Sequence, residues 1–180
     1  MSSEPPLNLQ LVIDFVNTRD LETGVDEIAT PNELAGWLAA RRLTPAGAPL
    51  PSLTEHADAV ALREALRAVL RSHTDGGEAP GAAEQLDRAA QRGAVSMHFG
   101  ADGAVTVAPR ASDFAGTLGL LLVPVAQAAF SGSWERVKAC GADDCRWAFY
   151  DQSRNRSGRW CDMAVCGNRT KVRAYRAKSA

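Results

Sequence analysis

The chain has 180 residues, enough for one domain of ordinary size and a small satellite, with apolar content sufficient for a core. Its opening, MSSEPPLNLQ, lacks the basic region and apolar core of a secretory signal, so a cytoplasmic protein is expected. The net charge of −1 conceals a division: Met1–Ser133 carries nine Lys/Arg against sixteen Asp/Glu, whereas Trp134–Ala180 carries eleven against five, so only the last quarter is suited to a polyanion.

Near the start, LVIDFVNTRD interleaves Asp14, Asn17, Thr18 and Arg19 with Val12, Ile13, Phe15 and Val16. Polar groups so placed lie against a buried surface and need partners, either internal hydrogen bonds or a small-molecule ligand. The segment is read as helical. PNELAGWLAARRL, from Pro31, follows Thr30 as an N-cap, and Glu33 three residues on completes a capping box; the helix would pack Leu34, Trp37 and Leu38. TPAGAPLPS breaks the chain, and Thr54–His73 then reads as a long amphipathic helix with Leu62, Leu66, Val69, Leu70 and His73 on one side. Arg63, Arg67 and Arg71 recur every four residues there, as a solvated face or as an extension of a nucleic-acid surface. A further helix, Ala82–Gln91, leads to a hairpin in which Val95, Met97 and Phe99 face Val105 and Val107 across Asp102-Gly103. Phe114–Phe130 is uncharged, but its glycines, Pro124 and Gln127 favour a buried core helix over a membrane span. These elements give a mainly helical α+β domain over residues 1–133, with no parallel sheet and no internal repeat.

Residues 134–180 hold all four cysteines, at 140, 145, 161 and 166, and three of the four tryptophans. Reduced thiols in two C-x4-C pairs suit a tetrahedral zinc, each pair supplying one edge; two disulfides or four buried thiols are the alternatives. Four thiolates leave no open position for water, so the zinc would be structural rather than catalytic. These 47 residues carry few large apolar groups. Structural zinc contributes an apparent ~10–16 kcal/mol in small finger peptides, so without it this end is expected to unfold. Trp147, Phe149 and Tyr150 give strand character and Asp151–Gly158 turn character, predicting a hairpin between the cysteine pairs, and a helix begins near Asn168. Knuckle, hairpin, knuckle and helix form a treble-clef-like order.

CGADDCRWAFYDQSRNRSGRWCDMAVCGNR resembles the CGNR zinc finger, whose closing tetrapeptide is here Cys166, Gly167, Asn168 and Arg169, and the part containing LVIDFVNTRD resembles the ABATE domain that precedes that finger in bacterial proteins. The resemblance implies zinc at Cys140, Cys145, Cys161 and Cys166, a stress-linked transcriptional regulator, and an N-terminal domain that senses a ligand.

The residues themselves point the same way. Arg154, Arg156 and Arg159 lie on the central loop, and Arg169, Lys171, Arg173, Arg176 and Lys178 follow along the last helix. Part of this charge balances zinc with four thiolates, and the rest suits phosphates. Arg reaches guanine and Asn adenine in the major groove, while the structural alternatives are a helix cap at Asn168 and an Arg169 paired with thiolates or Asp162. No Walker, dinucleotide, G-x-S-x-G or H-E-x-x-H motif occurs, and His56, His73 and His98 are scattered, so no enzyme is expected. DNA is the leading partner; RNA or the ribosome, and protein docking by the finger, are the alternatives. Asp14, Asn17, Thr18 and Arg19 are the ligand candidates upstream. A homodimer would match an inverted repeat, though no heptad establishes one.

Overall fold

In the N-terminal stretch the alternation of polar and apolar residues resolves as helix. The computed structural model describes residues 7–178, without the side chains at 7, 174 and 178, and begins with α1, Leu7–Asn17. Leu9, Val12, Ile13, Phe15 and Val16 are all buried, an arc wide enough to make α1 the central element, packed against α5 (Phe114–Phe130) and α3 (Leu53–Asp75). The loop after α1 is closed by a bridge between Arg19 and Asp26.

Helix α2, Pro31–Ala40, starts at the expected capping box, with Thr30 and Glu33 satisfying each other's backbone, and buries Leu34, Trp37 and Leu38. Trp37 meets Phe15 at a ring separation of 5.3 Å. Helix α3 is longer than its periodicity predicts. Ser52 and Glu55 form a second capping box before it, and Gly76, left-handed at φ 73°, ends it. Helix α4, Pro80–Arg92, leads to the expected hairpin, β1 (Val95–Phe99) antiparallel to β2 (Val105–Pro109), with Phe99 opposite Val105. Helix α5 packs on this hairpin, on α1 and on α4. None of the described helices is long and apolar enough to cross a membrane.

The second hairpin differs from expectation. Strand β4, Ala148–Tyr150, pairs with β3, Val137–Ala139, which precedes Cys140, so the first cysteine pair lies in the hairpin's connection and not outside it. The reason lies in two choices of partner. Val137 and Ala139 are fully buried against the helices, and Asp151 collects the backbone N–H groups of Ser153 and Gly158, which turns residues 151–158 into a loop in place of a returning strand. The apolar core is continuous from Leu9 and Leu66 through to Val137, Ala139 and Ala148. A π-helical turn, Met163–Gly167, leads into α6, Asn168–Lys178. The molecule is thus a mainly helical α+β body with two small antiparallel hairpins and a C-terminal four-cysteine finger.

Candidate metal centre and basic helix

The first knuckle is a turn closed by Cys145 and Arg146 N–H groups donating to the Ala142 carbonyl, and Cys140 N–H donates to Trp147, the last rung of the hairpin. The second is capped by Asp162, whose carboxylate accepts from Ala164 and Val165 N–H at 2.7 and 3.0 Å. Together they bring the four Sγ atoms within 4.8 Å of one another. Cys161 Sγ lies 3.6 Å from Cys145 Sγ and 3.7 Å from Cys166 Sγ. A disulfide needs about 2.05 Å. Thiolates about 2.3 Å from a tetrahedral zinc are about 3.8 Å apart, so these residues fit the ion.

The chemistry of the donors agrees. Contact with Cys140 pushes the Cys145 thiol up to about 12 and raises that of Cys161 as well, while hydrogen bonds with Cys145 and Cys161 pull Cys140 far below the usual thiol value. Sulfurs this close cannot all be anionic without a central positive charge, which a divalent ion supplies. Trp160 packs over the cluster of Cys140, Cys145 and Cys166. A Cβ at Gly141 would come within 2.9 Å of its ring, and one at Gly167 within 3.1 Å of the ring and 2.5 Å of Met163 Sδ. Each knuckle therefore carries glycine where the indole passes.

Helices α1 and α3 hold the finger by its backbone. Asn17 Nδ2 donates to the Ala148 carbonyl at 2.9 Å and its Oδ1 accepts from Ala148 N–H at 2.7 Å, so the amide acts as a short strand beside β4. From α3, His73 bonds the Val137 carbonyl at 2.8 Å, Thr74 donates to Ala139 at 2.6 Å, Arg71 to Cys140 at 2.8 Å and Arg67 to Arg146 at 3.1 Å. The arginine ladder of α3 is thus not a solvated face. Arg63 and Arg67 are each only 3% exposed, Arg63 clamped by Asp26 at 2.7 and 3.0 Å and Arg67 by the carbonyls of Val16 and Arg19. Backbone carbonyls left over at the ends of α1 and the knuckle need donors, and a guanidinium offers five.

The upstream ligand candidates are engaged inside the fold. Asp14 accepts from Gln10 at 2.7 Å and lies 3.8 Å from Arg41; Thr18 donates to Phe15 and accepts from Arg63; Arg19 donates to Gly24 and approaches Asp26. Only Asn17 of the four reaches the finger.

The eight basic candidates separate into two groups. Arg156 pairs with Glu135 at 3.2 Å, Arg159 with Asp75 at 3.0 Å and Arg173 with Asp144 at 2.9 Å. Arg169 is a junction: it meets Glu22 at 2.5 Å, Cys166 Sγ at 3.4 Å and Asp144 at 3.8 Å, and the Glu22 hydrogen bond drives its pKa up. Arg173 in turn holds the Asp144 carboxyl below the usual range. Arg154, Lys171 and Arg176 are exposed and have no partner among the described residues, and the Lys178 side chain lies outside them. Asn168 is already helical and its amide donates back to Ala164 at 3.0 Å, so it braces the second knuckle without capping α6. Sequence reasoning missed Lys138 and Asp151, which form a buried ion pair at 2.7 Å inside the finger; a lysine in a three-residue strand gives no periodic signal.

Residues 136–179 match the family model of the CGNR zinc finger. Residues 9–131 match the model of the ABATE domain, described as "Putative stress-induced transcription regulator". No curated protein matches the chain. The finger match and the sulfur geometry agree on one structural zinc at Cys140, Cys145, Cys161 and Cys166.

Proposed function

Because the ABATE match spans more than half of the chain, the protein belongs to that family, and from this premise we propose that it is a cytoplasmic, stress-linked transcriptional regulator that binds DNA through its CGNR finger while the ABATE unit responds to an effector. One observation carries the DNA half. Helix α6 leaves the second knuckle with Lys171, Val172, Arg173, Tyr175 and Arg176 all exposed, so a cationic helix of 11 residues stands with little cover from the rest of the chain. Isolated helices this short are marginal in water, and an anionic groove lined with phosphates would complete it. The zinc, closed by four thiolates, offers no position for a catalytic water, so the action proposed is binding without catalysis.

Fluorescence anisotropy of the zinc-loaded protein on random duplex DNA and on matched single-stranded RNA, titrated with salt, tests this reading. Tighter duplex binding is expected, with log affinity falling against log salt at a slope between about −3, for the three finger cations without a partner among the described residues, and about −5 if the carboxylate-paired arginines also reach phosphates. Preference for RNA, or no binding to either at physiological salt, would overturn it.

A further inference from the structure

Between α1 and the finger lies a cleft of about 460 Å³. Gln10 and Ile13 line it from α1, and Phe149, Tyr150, Gln152 and Trp160 line it from the finger. Half of these six side chains are aromatic, and Trp160 is held in place by the two glycine contacts at the knuckles. Apart from Cys161, whose thiolate the metal would hold, the lining contains one charged side chain, Asp151, and Lys138 already neutralises it at 2.7 Å. The Gln152 amide, the Tyr150 hydroxyl and the Trp160 indole N–H have no hydrogen-bond partner among the described residues.

Each feature narrows the ligand. A volume of this order suits a molecule of one or two rings. Fixed aromatic side chains favour a planar π-face, and the absence of free charge disfavours anions and cations alike. Unengaged amide, hydroxyl and indole groups favour a ring with donors and acceptors around its edge. We propose that this cleft is a binding site for a neutral planar heterocycle of the nucleobase type. The proposal deepens the effector half of the function above and rests on that reading for its consequence: one wall belongs to the ABATE unit and the other to the finger, so a ligand would brace the joint between them. The larger cavity of about 550 Å³, lined by residues between 32 and 51 and by Phe114, contains no residue of the finger and offers no such bridge. The cavity of about 490 Å³ along α3, which does reach Asp143 and Arg146, is walled by charged side chains, of which Glu64, Arg67, Arg71, Asp75, Asp143 and Arg146 pair with one another, and it offers no aromatic face.

The test uses the zinc-loaded full chain with adenosine, guanosine, cytidine and uridine as probes, read by saturation-transfer NMR and calorimetry without DNA. Saturable binding by at least one nucleoside is expected, weakened about fivefold in Gln152→Leu, which removes an exposed amide touching neither knuckle. Trp160→Phe should weaken it too; if that variant loses zinc, Gln152→Leu alone decides. No binding by any of the four, or affinity unchanged in Gln152→Leu, would overturn the site while leaving the DNA reading intact. A nucleoside that binds but does not move DNA affinity, in a protein that does bind DNA, would overturn its role as effector.

Discussion

Lys138 and Asp151 meet at 2.7 Å with side chains only 5% and 2% exposed, so each is the other's substitute for water. The surrounding loop completes both: Asp151 accepts from Ser153 and Gly158 N–H, and Lys138 donates to the carbonyls of Arg156 and Gly158. Burial opposes ionisation of Asp151, but hydrogen bonds led by that of Lys138 outweigh it and hold the carboxyl at about 2. The folded value lies below the unfolded one of about 3.9, so this stabilisation is present above about pH 4 and is lost as pH falls toward 2. Asp151→Asn, which leaves a buried ammonium unpaired, should cost about 3–5 kcal/mol near neutrality by urea unfolding. Measured on wild type and variant at matched zinc content, the difference between them should shrink by about 2 kcal/mol between about pH 5 and pH 2.

At the scale of elements, the finger is held by two separate devices. Zinc joins the knuckles at residues 140–145 and 161–166, whereas β3 and β4 belong to the helical core and are bonded by Asn17, His73 and Thr74. Chelation should therefore divide the finger. Hydrogen exchange should stay slow at Val137–Ala139 and Ala148–Tyr150 and become fast from Cys161 through α6, and equal loss at all of these would show that the core does not hold the hairpin by itself. The division also accounts for what was readable beforehand. Zinc ligation follows from cysteine spacing, the Thr30–Glu33 box from a local pattern, and α5 from an uncharged run, all of which are properties of contiguous residues. The hairpin partner was hidden because β3 offers only Val137 and Ala139 as apolar signals. The burial of Arg63 and Arg67 was hidden because helical periodicity assigns arginine to water, and the groups that need them are distant in sequence: the Asp26 carboxylate for Arg63, and for Arg67 the carbonyls of Val16, Arg19 and Arg146, which lie 51, 48 and 79 residues away.

Across the whole molecule, an acidic body and a basic finger are joined at a few ion pairs, and these decide which cations remain for a partner. Glu22 and Asp75, both from the body, engage Arg169 and Arg159, while Asp144 and Glu135 engage Arg173 and Arg156 within the finger's own stretch. The body's excess of carboxylates repels a polyanion everywhere except where the finger projects, which would orient DNA toward α6 and the 151–158 loop. The cations should then separate by role. Arg176→Ala and Lys171→Ala should each reduce the magnitude of the salt slope by about 1, with thermal stability and zinc retention unchanged, because neither has a partner to lose among the described residues. Arg169→Ala should do the reverse, since it removes the group linking Glu22, Asp144 and the Cys166 sulfur: zinc should leave faster to a chelator and the melting temperature should fall, with the slope nearly constant. Binding and chelation measured on the same three variants would expose a wrong assignment directly, because an Arg169 that contacts phosphate in the complex would flatten the slope as much as Arg176 does.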